Sequence, residues 1–195
     1  MPQLASSSPP APMLQAHRYF FALRPDRQTA HRIHAFAVAT LGEKGLLPPE
    51  RLHVTLALTP DFPVPQPALM AALVQAGDSV AAPPFTLRLD RLSIGARTAA
   101  LRPAKAIPAL RTLQAAIAHE MKRAGAAMRP DWQFHPHLTL RYRADTPSRR
   151  AVDDFGWAVE GFVLLESLVG LSRHVLRGRW PLRAVPDPQG ALFAD

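Results

Sequence analysis

The chain of 195 residues contains no cysteine. That excludes a disulfide framework, a cysteine-ligated zinc site and a thiol nucleophile, and it fits a reducing cytoplasm. Nor does any apolar run approach the roughly 20 residues that span a bilayer, so no membrane association is expected. The opening residues lack the basic region and apolar core of a secretory signal, which makes the cytoplasm the expected location. Acidic residues are in short supply, 15 against 23 Lys and Arg, leaving a net charge of +8. The basic residues are mostly arginine, whose planar fork matches phosphate oxygens. Such a balance leans towards polyanions such as nucleic acid, although an arginine- and alanine-rich composition also follows from genome composition alone.

The length suits one domain, or two closely packed lobes, with a sizeable core. Residues 1–15 (MPQLASSSPPAPMLQ) have no periodicity and read as a disordered N-terminal extension. Residues 16–183 form the expected domain, and 184–195 a loose, proline-rich tail. Residues 17–23 read as a first strand. Asp26 is a plausible cap for a helix running to about Leu41, with Ile33, Phe36, Ala37 and Leu41 as its apolar stripe. A second helix is expected over 67–77, a strand over 84–94 with a hairpin partner at 98–101, and a third helix over 108–124. Residues 145–150 read as a polar loop, 157–169 as a strand pair or one long bent strand, and 179–183 as a last short strand.

Two stretches organise the rest. Residues 51–58 (RLHVTLAL) and 134–141 (FHPHLTLR) each carry His-x-Thr inside an alternating apolar run. Alternation reads as a half-buried strand, on which successive side chains face opposite ways. Leu52, Val54, Leu56 and Leu58 are therefore expected on one face, with His53 and Thr55 on the other. In the second stretch Leu138 and Leu140 oppose His137, Thr139 and Arg141. Each strand then presents a histidine and a hydroxyl about 7 Å apart. With 8 histidines in the chain, one such triplet is unremarkable; two on alternating strands are not. The competing reading is a pair of ordinary strands with polar outer faces, where threonine is common. Each half of the chain also leads a helix into a His-x-Thr strand. This weak duplication predicts an α+β, bilobal fold with two antiparallel sheets lining a central cleft and helices packed outside.

Several stretches resemble the two-histidine (2H) phosphoesterase superfamily, and within it the bacterial and archaeal 2′-5′ RNA ligase-like RNA 2′,3′-cyclic phosphodiesterases. They are RYFFAL at 18–23, LHVTL at 52–56, F-x-PHLTL at 134–140, residues 85–92, and E-S-x-x-G at 166–170 with WPL at 180–182. The likeness spans roughly residues 17–183. It implies hydrolysis of RNA 2′,3′-cyclic phosphate ends to 2′-phosphates without a metal or nucleotide cofactor, and it allows reversible 2′-5′ RNA ligation. It also implies that His53 protonates the departing 3′ oxygen while His137 activates water. The family commonly carries an arginine where Tyr142 stands here, and an aromatic residue where His174 stands. Strand parity favours Arg141 as the phosphate contact, with Arg143 as the alternative.

The residues themselves suit that chemistry. Two histidines facing one another form a general acid–base pair near neutral pH, and Thr55 and Thr139 offer hydroxyl donors to non-bridging phosphate oxygens. His135 and His137 are spaced as a metal pair, but no cysteine or nearby acid completes a site. Arg173, Arg177 and Arg179 could line an RNA path or simply face solvent, and Phe20 and Phe21 read as core. The expected partner is then RNA with a cyclic phosphate end, and the protein is expected to be a monomer. The alternatives are a small cyclic nucleotide, a 2′-5′ oligonucleotide, or RNA-end binding without turnover.

Overall fold

The computed structural model describes residues 16–142, 146–171 and 173–183. The expected N-terminal extension at 1–15, the tail from 184 and Arg143 lie outside the described residues. Among the described residues the order is β1 (Ala16–Leu23), α1 (Arg27–Leu41), β2 (Val54–Leu58), α2 (Pro67–Ser79), β3 (Phe85–Ile94), β4 (Ala99–Arg102), α3 (Pro108–Arg123), β5 (Leu138–Arg141), β6 (Ser148–Val159), β7 (Gly161–Val169) and β8 (Arg173–Pro181). The Asp26 carboxylate accepts the Thr29 N–H at 2.8 Å and caps α1 as expected. Prolines open α2 and α3, where a missing N–H costs nothing. No described helix is long and apolar enough to cross a membrane.

The α+β class holds, but the expectation of two sheets is corrected to one. All eight strands join a single antiparallel sheet in the order β6-β3-β4-β5-β2-β1-β7-β8. Its halves, β6-β3-β4-β5 and β2-β1-β7-β8, meet where Val54 of β2 stands opposite Leu138 of β5. Duplication is visible in a sequence; whether the innermost strands of the two copies bond to each other is not. The polar stretch expected to be a loop up to residue 150 belongs to β6 from Ser148, and β8 is longer than expected. Both are edge strands with many exposed charged residues. Such charges hide the alternation and block pairing with other chains.

The helices pack against one face of the sheet. Ile33, Leu73, Leu110, Leu113, Ile117 and Met121 join Phe21, Val54, Leu56, Leu138 and Leu140 in one buried core. On the other face Phe20, Ala22, Leu58, Val163 and Leu165 form a smaller cluster, with Trp132 packed against it. The presence of Leu58 there corrects the parity expectation. Ala57 pairs with Phe21 but Thr55 with Ala22, so Leu56 is an extra residue in β2. The bulge turns Leu56 and Ala57 to the same side and reverses the alternation beyond them.

Trp180 of β8 locks the β2-β1-β7-β8 half to α2. Its ring stacks on Phe162 at 5.3 Å between centroids, and its indole N–H donates to Asp78 at 2.6 Å. It lies against Gly77 so closely that a Cβ there would overlap the indole. Gly77→Ala should therefore lower stability by about 1–3 kcal/mol through overpacking, although alanine is the better helix former by about 1 kcal/mol. A fall in Tm is the expected result; an unchanged or higher Tm would mean that the indole yields.

Candidate active site

His53 and His137 immediately precede β2 and β5, the two strands at the seam. Continuing the Val54–Leu138 register by one residue each way sets His53 opposite Thr139 and Thr55 opposite His137. Val54 and Leu138 are fully buried on the helix side, so all four polar side chains share the opposite face. Directly opposed side chains lie about 5 Å apart at Cβ, and the two histidines, on the diagonal, about 7–8 Å. The four residues expected to act together are thus brought together.

The two rings are held alike. Nδ1 of His53 bonds the carbonyl oxygen of Arg51 at 2.7 Å, and Nδ1 of His137 bonds that of His135, also at 2.7 Å. A carbonyl only accepts, so each neutral ring carries its proton on Nδ1 and keeps a lone pair on Nε2. Protonated, the same Nε2 becomes a donor. Either histidine can therefore act as base or acid through the same atom. His135 itself is exposed and contributes its backbone. Among the described residues no three His, Asp or Glu side chains are grouped as metal ligands are.

Burial lowers the pKa of His53 to about 4, against the opposing pull of the Arg51 carbonyl, with His137, Arg24 and Arg51 adding repulsion. His137 is lowered as well, first by burial and then by Arg102 and His135. Phe20 supplies part of that burial, its ring 5.1 Å from the His53 ring. It is buried, as expected, but serves the histidine face, whereas Phe21 serves the main core. His174, in β8, completes the triangle, edge-on to both Phe20 at 5.1 Å and His53 at 5.3 Å. Burial, then His53, brings it too to about 4. A cavity of about 260 Å³ opens here, lined by Arg24, Glu50, Arg51, His53, Leu165, His174 and Leu176. A larger cavity of about 920 Å³ near Trp157 and Trp180 shares Arg24 but touches neither motif histidine.

Arg141 is not delivered to this face. It pairs with Ala99 while Thr139 pairs with Ala100, so Leu140 is a bulge that reverses parity. Its guanidinium instead donates to the Leu41 carbonyl at the end of α1, at 2.9 Å. Two other arginines, not singled out from the sequence, occupy equivalent places in the two halves. Extending the β1–β2 register puts Arg24 opposite His53, and extending β4–β5 puts Arg102 opposite His137. Only strand registers, which no local pattern carries, would have identified them. Among the arginines suggested for an RNA path, Arg177 is held by Glu166 at 2.5 Å.

In an NMR titration of the ring nitrogens, the His53 Nε2 should change protonation near pH 4 while Nδ1 stays protonated. Arg24→Ala should move that midpoint upward, since it removes a repelling charge and some burial. A midpoint near 6.5 in the wild type would contradict the site's electrostatics.

Residues 25–170 match the model of the 2′-5′ RNA ligase superfamily. A search of curated proteins matches none of them. The structure of Escherichia coli LigT complexed with 3′-AMP is 24% identical with a TM-score of 0.72, over 87% of this chain and 100% of that one. LigT in its apo form is 25% identical with a TM-score of 0.70, over 87% and 99%. A Thermus thermophilus protein is 22% identical with a TM-score of 0.65, over 85% and 98%. With a LigT-like fold and a motif histidine from each half on its open face, the chain belongs to the 2′-5′ RNA ligase superfamily of 2H phosphoesterases.

Proposed function

We propose that this chain hydrolyses the 2′,3′-cyclic phosphate at an RNA end to a 2′-phosphate. The observation that carries the reading is the matched pair of imidazoles. Each has Nδ1 on a carbonyl two residues back, Nε2 left for substrate, and a threonine of the other strand opposite. A phosphorus atom between them meets one proton acceptor and one proton donor. His137 Nε2 takes a proton from water as its oxygen attacks phosphorus. The bond from phosphorus to the 3′ oxygen breaks, and His53 Nε2 gives that oxygen a proton. Exchange with solvent then restores both rings.

The lowered pKa of His53 suits the donor role, because its imidazolium is a stronger acid than free imidazolium. Thr55 and Thr139 donate hydroxyl hydrogen bonds to the non-bridging oxygens, and Arg24 and Arg102 hold the phosphate charge. The apolar walls, Leu165 and Leu176 with Phe20 and His174 beside them, take the terminal nucleoside. A related protein, LigT, has been crystallised with 3′-AMP, which is consistent with a nucleotide at such a site.

The assay is a short RNA ending in a 2′,3′-cyclic phosphate, in EDTA, with the product identified by mass and phosphatase sensitivity. The wild type should form a 2′-phosphate, and His53→Ala and His137→Ala should each lose at least about 10²-fold in rate while remaining folded. Near-normal turnover in either variant removes the mechanism.

Turnover needs one ring protonated and the other neutral. Both pKa values lie below 6.5, so kcat/KM should peak below pH 6.5 and decline on the alkaline side as the proton donor is lost. A peak above about pH 7 would show that this pair does not control the rate.

A further inference from the structure

On the half of the sheet that carries His137, three arginines without an ion pair among the described residues share the open face with Arg88, which is paired with Asp154. Arg102 of β4 stands opposite Arg91 of β3, and Ser93, two residues along β3, stands opposite Arg149 of β6. The face is set by the pair between them. Leu92 and Leu101 are registered together and buried in the helix-side core. Their neighbours Arg91, Ser93 and Arg102 therefore point the other way, towards the side of His137 and Thr139.

Among the described residues none of the three arginines forms an ion pair, whereas Arg18, Arg88, Arg123 and Arg177 each have a carboxylate. Directly opposed like charges destabilise a sheet, so the Arg91–Arg102 pair carries a cost that no described carboxylate relieves. Arg149 is close enough to add to the depression of the Arg102 pKa, after burial. The row starts beside His137 and steps outward one strand at a time, about 4.8 Å each, to the exposed edge. On the other half, by contrast, Leu165, Leu176 and His174 close the wall around His53.

We infer that Arg91 and Arg149, continuing outward from Arg102 at the reacting phosphate, form a phosphate track for the RNA strand upstream of its reacting end. The inference rests on the cyclic-phosphate reading for which end lies between the histidines. Binding along the track, however, does not require turnover.

Fluorescence anisotropy with labelled single-stranded RNAs of two and ten nucleotides, each ending in a 3′-phosphate, tests it. The wild type should hold the longer RNA roughly tenfold more tightly at low salt, through added phosphate contacts. Arg91→Glu with Arg149→Glu should bring the two affinities within about twofold. Arg149 is exposed, so Arg149→Ala provides a variant that keeps the fold. In it the slope of log affinity against log salt should become shallower by about 0.7. A wild type that does not distinguish the two lengths overturns the track. So does a length preference and salt slope that persist in Arg149→Ala. Absence of cyclic-phosphate turnover alongside an intact, variant-sensitive length preference would remove the hydrolase reading and leave the track standing.

Discussion

The site depends on the registration of Val54 with Leu138. Among the described residues that pair alone joins β2 to β5, yet it determines which histidine faces which threonine. A shift of one residue would turn every site side chain into the core. So narrow a seam is held from elsewhere. Both residues are fully buried against the helices, and α3 packs on β2 in one half and β3 in the other. The Leu47 N–H donates to the Leu140 carbonyl, Leu46 bridges to Arg141, and the Arg141 guanidinium reaches Leu41. The segment after α1 thus clasps the second His-x-Thr strand, and Arg141 belongs to the clasp.

The duplication extends to the backbone. In each half an extra residue comes directly after the threonine, Leu56 in β2 and Leu140 in β5, and both side chains lie in the main core. Bulges bend a strand and re-aim the side chains beyond them. Beyond Leu56 this brings Leu58 to the open face. Beyond Leu140 it turns Arg141 away from the open face, towards the Leu41 carbonyl.

Much of this was legible in the sequence, because it is local. Alternation in LHVTL and HLTL marked the strands, Asp26 and the helix-opening prolines marked helix starts, and two His-x-Thr triplets marked the side chains that the fold brings to one face. What was not legible is non-local. Parity failed at Leu58 and Arg141 because a bulge leaves no reliable mark in a short apolar run. Two sheets were expected because repeats do not say whether their inner strands bond. Arg24 and Arg102 carry no local signal, since each lies at a strand end far from either motif and is matched with a histidine only by register. Phe20 reads as core, and it is buried, but on the face that surrounds His53.

The shared tautomer of the two rings has a wider consequence. With the same nitrogen anchored and the same nitrogen offered, the two rings are locally equivalent: exchange the labels of the two histidines and the wiring is unchanged. Whatever distinguishes one ring from the other must come from the surroundings. One half supplies an apolar enclosure of Phe20, His174, Leu165 and Leu176; the other supplies arginines on an open sheet. A duplicated fold of this kind can keep its chemistry fixed while divergence between its copies selects which way round a substrate lies.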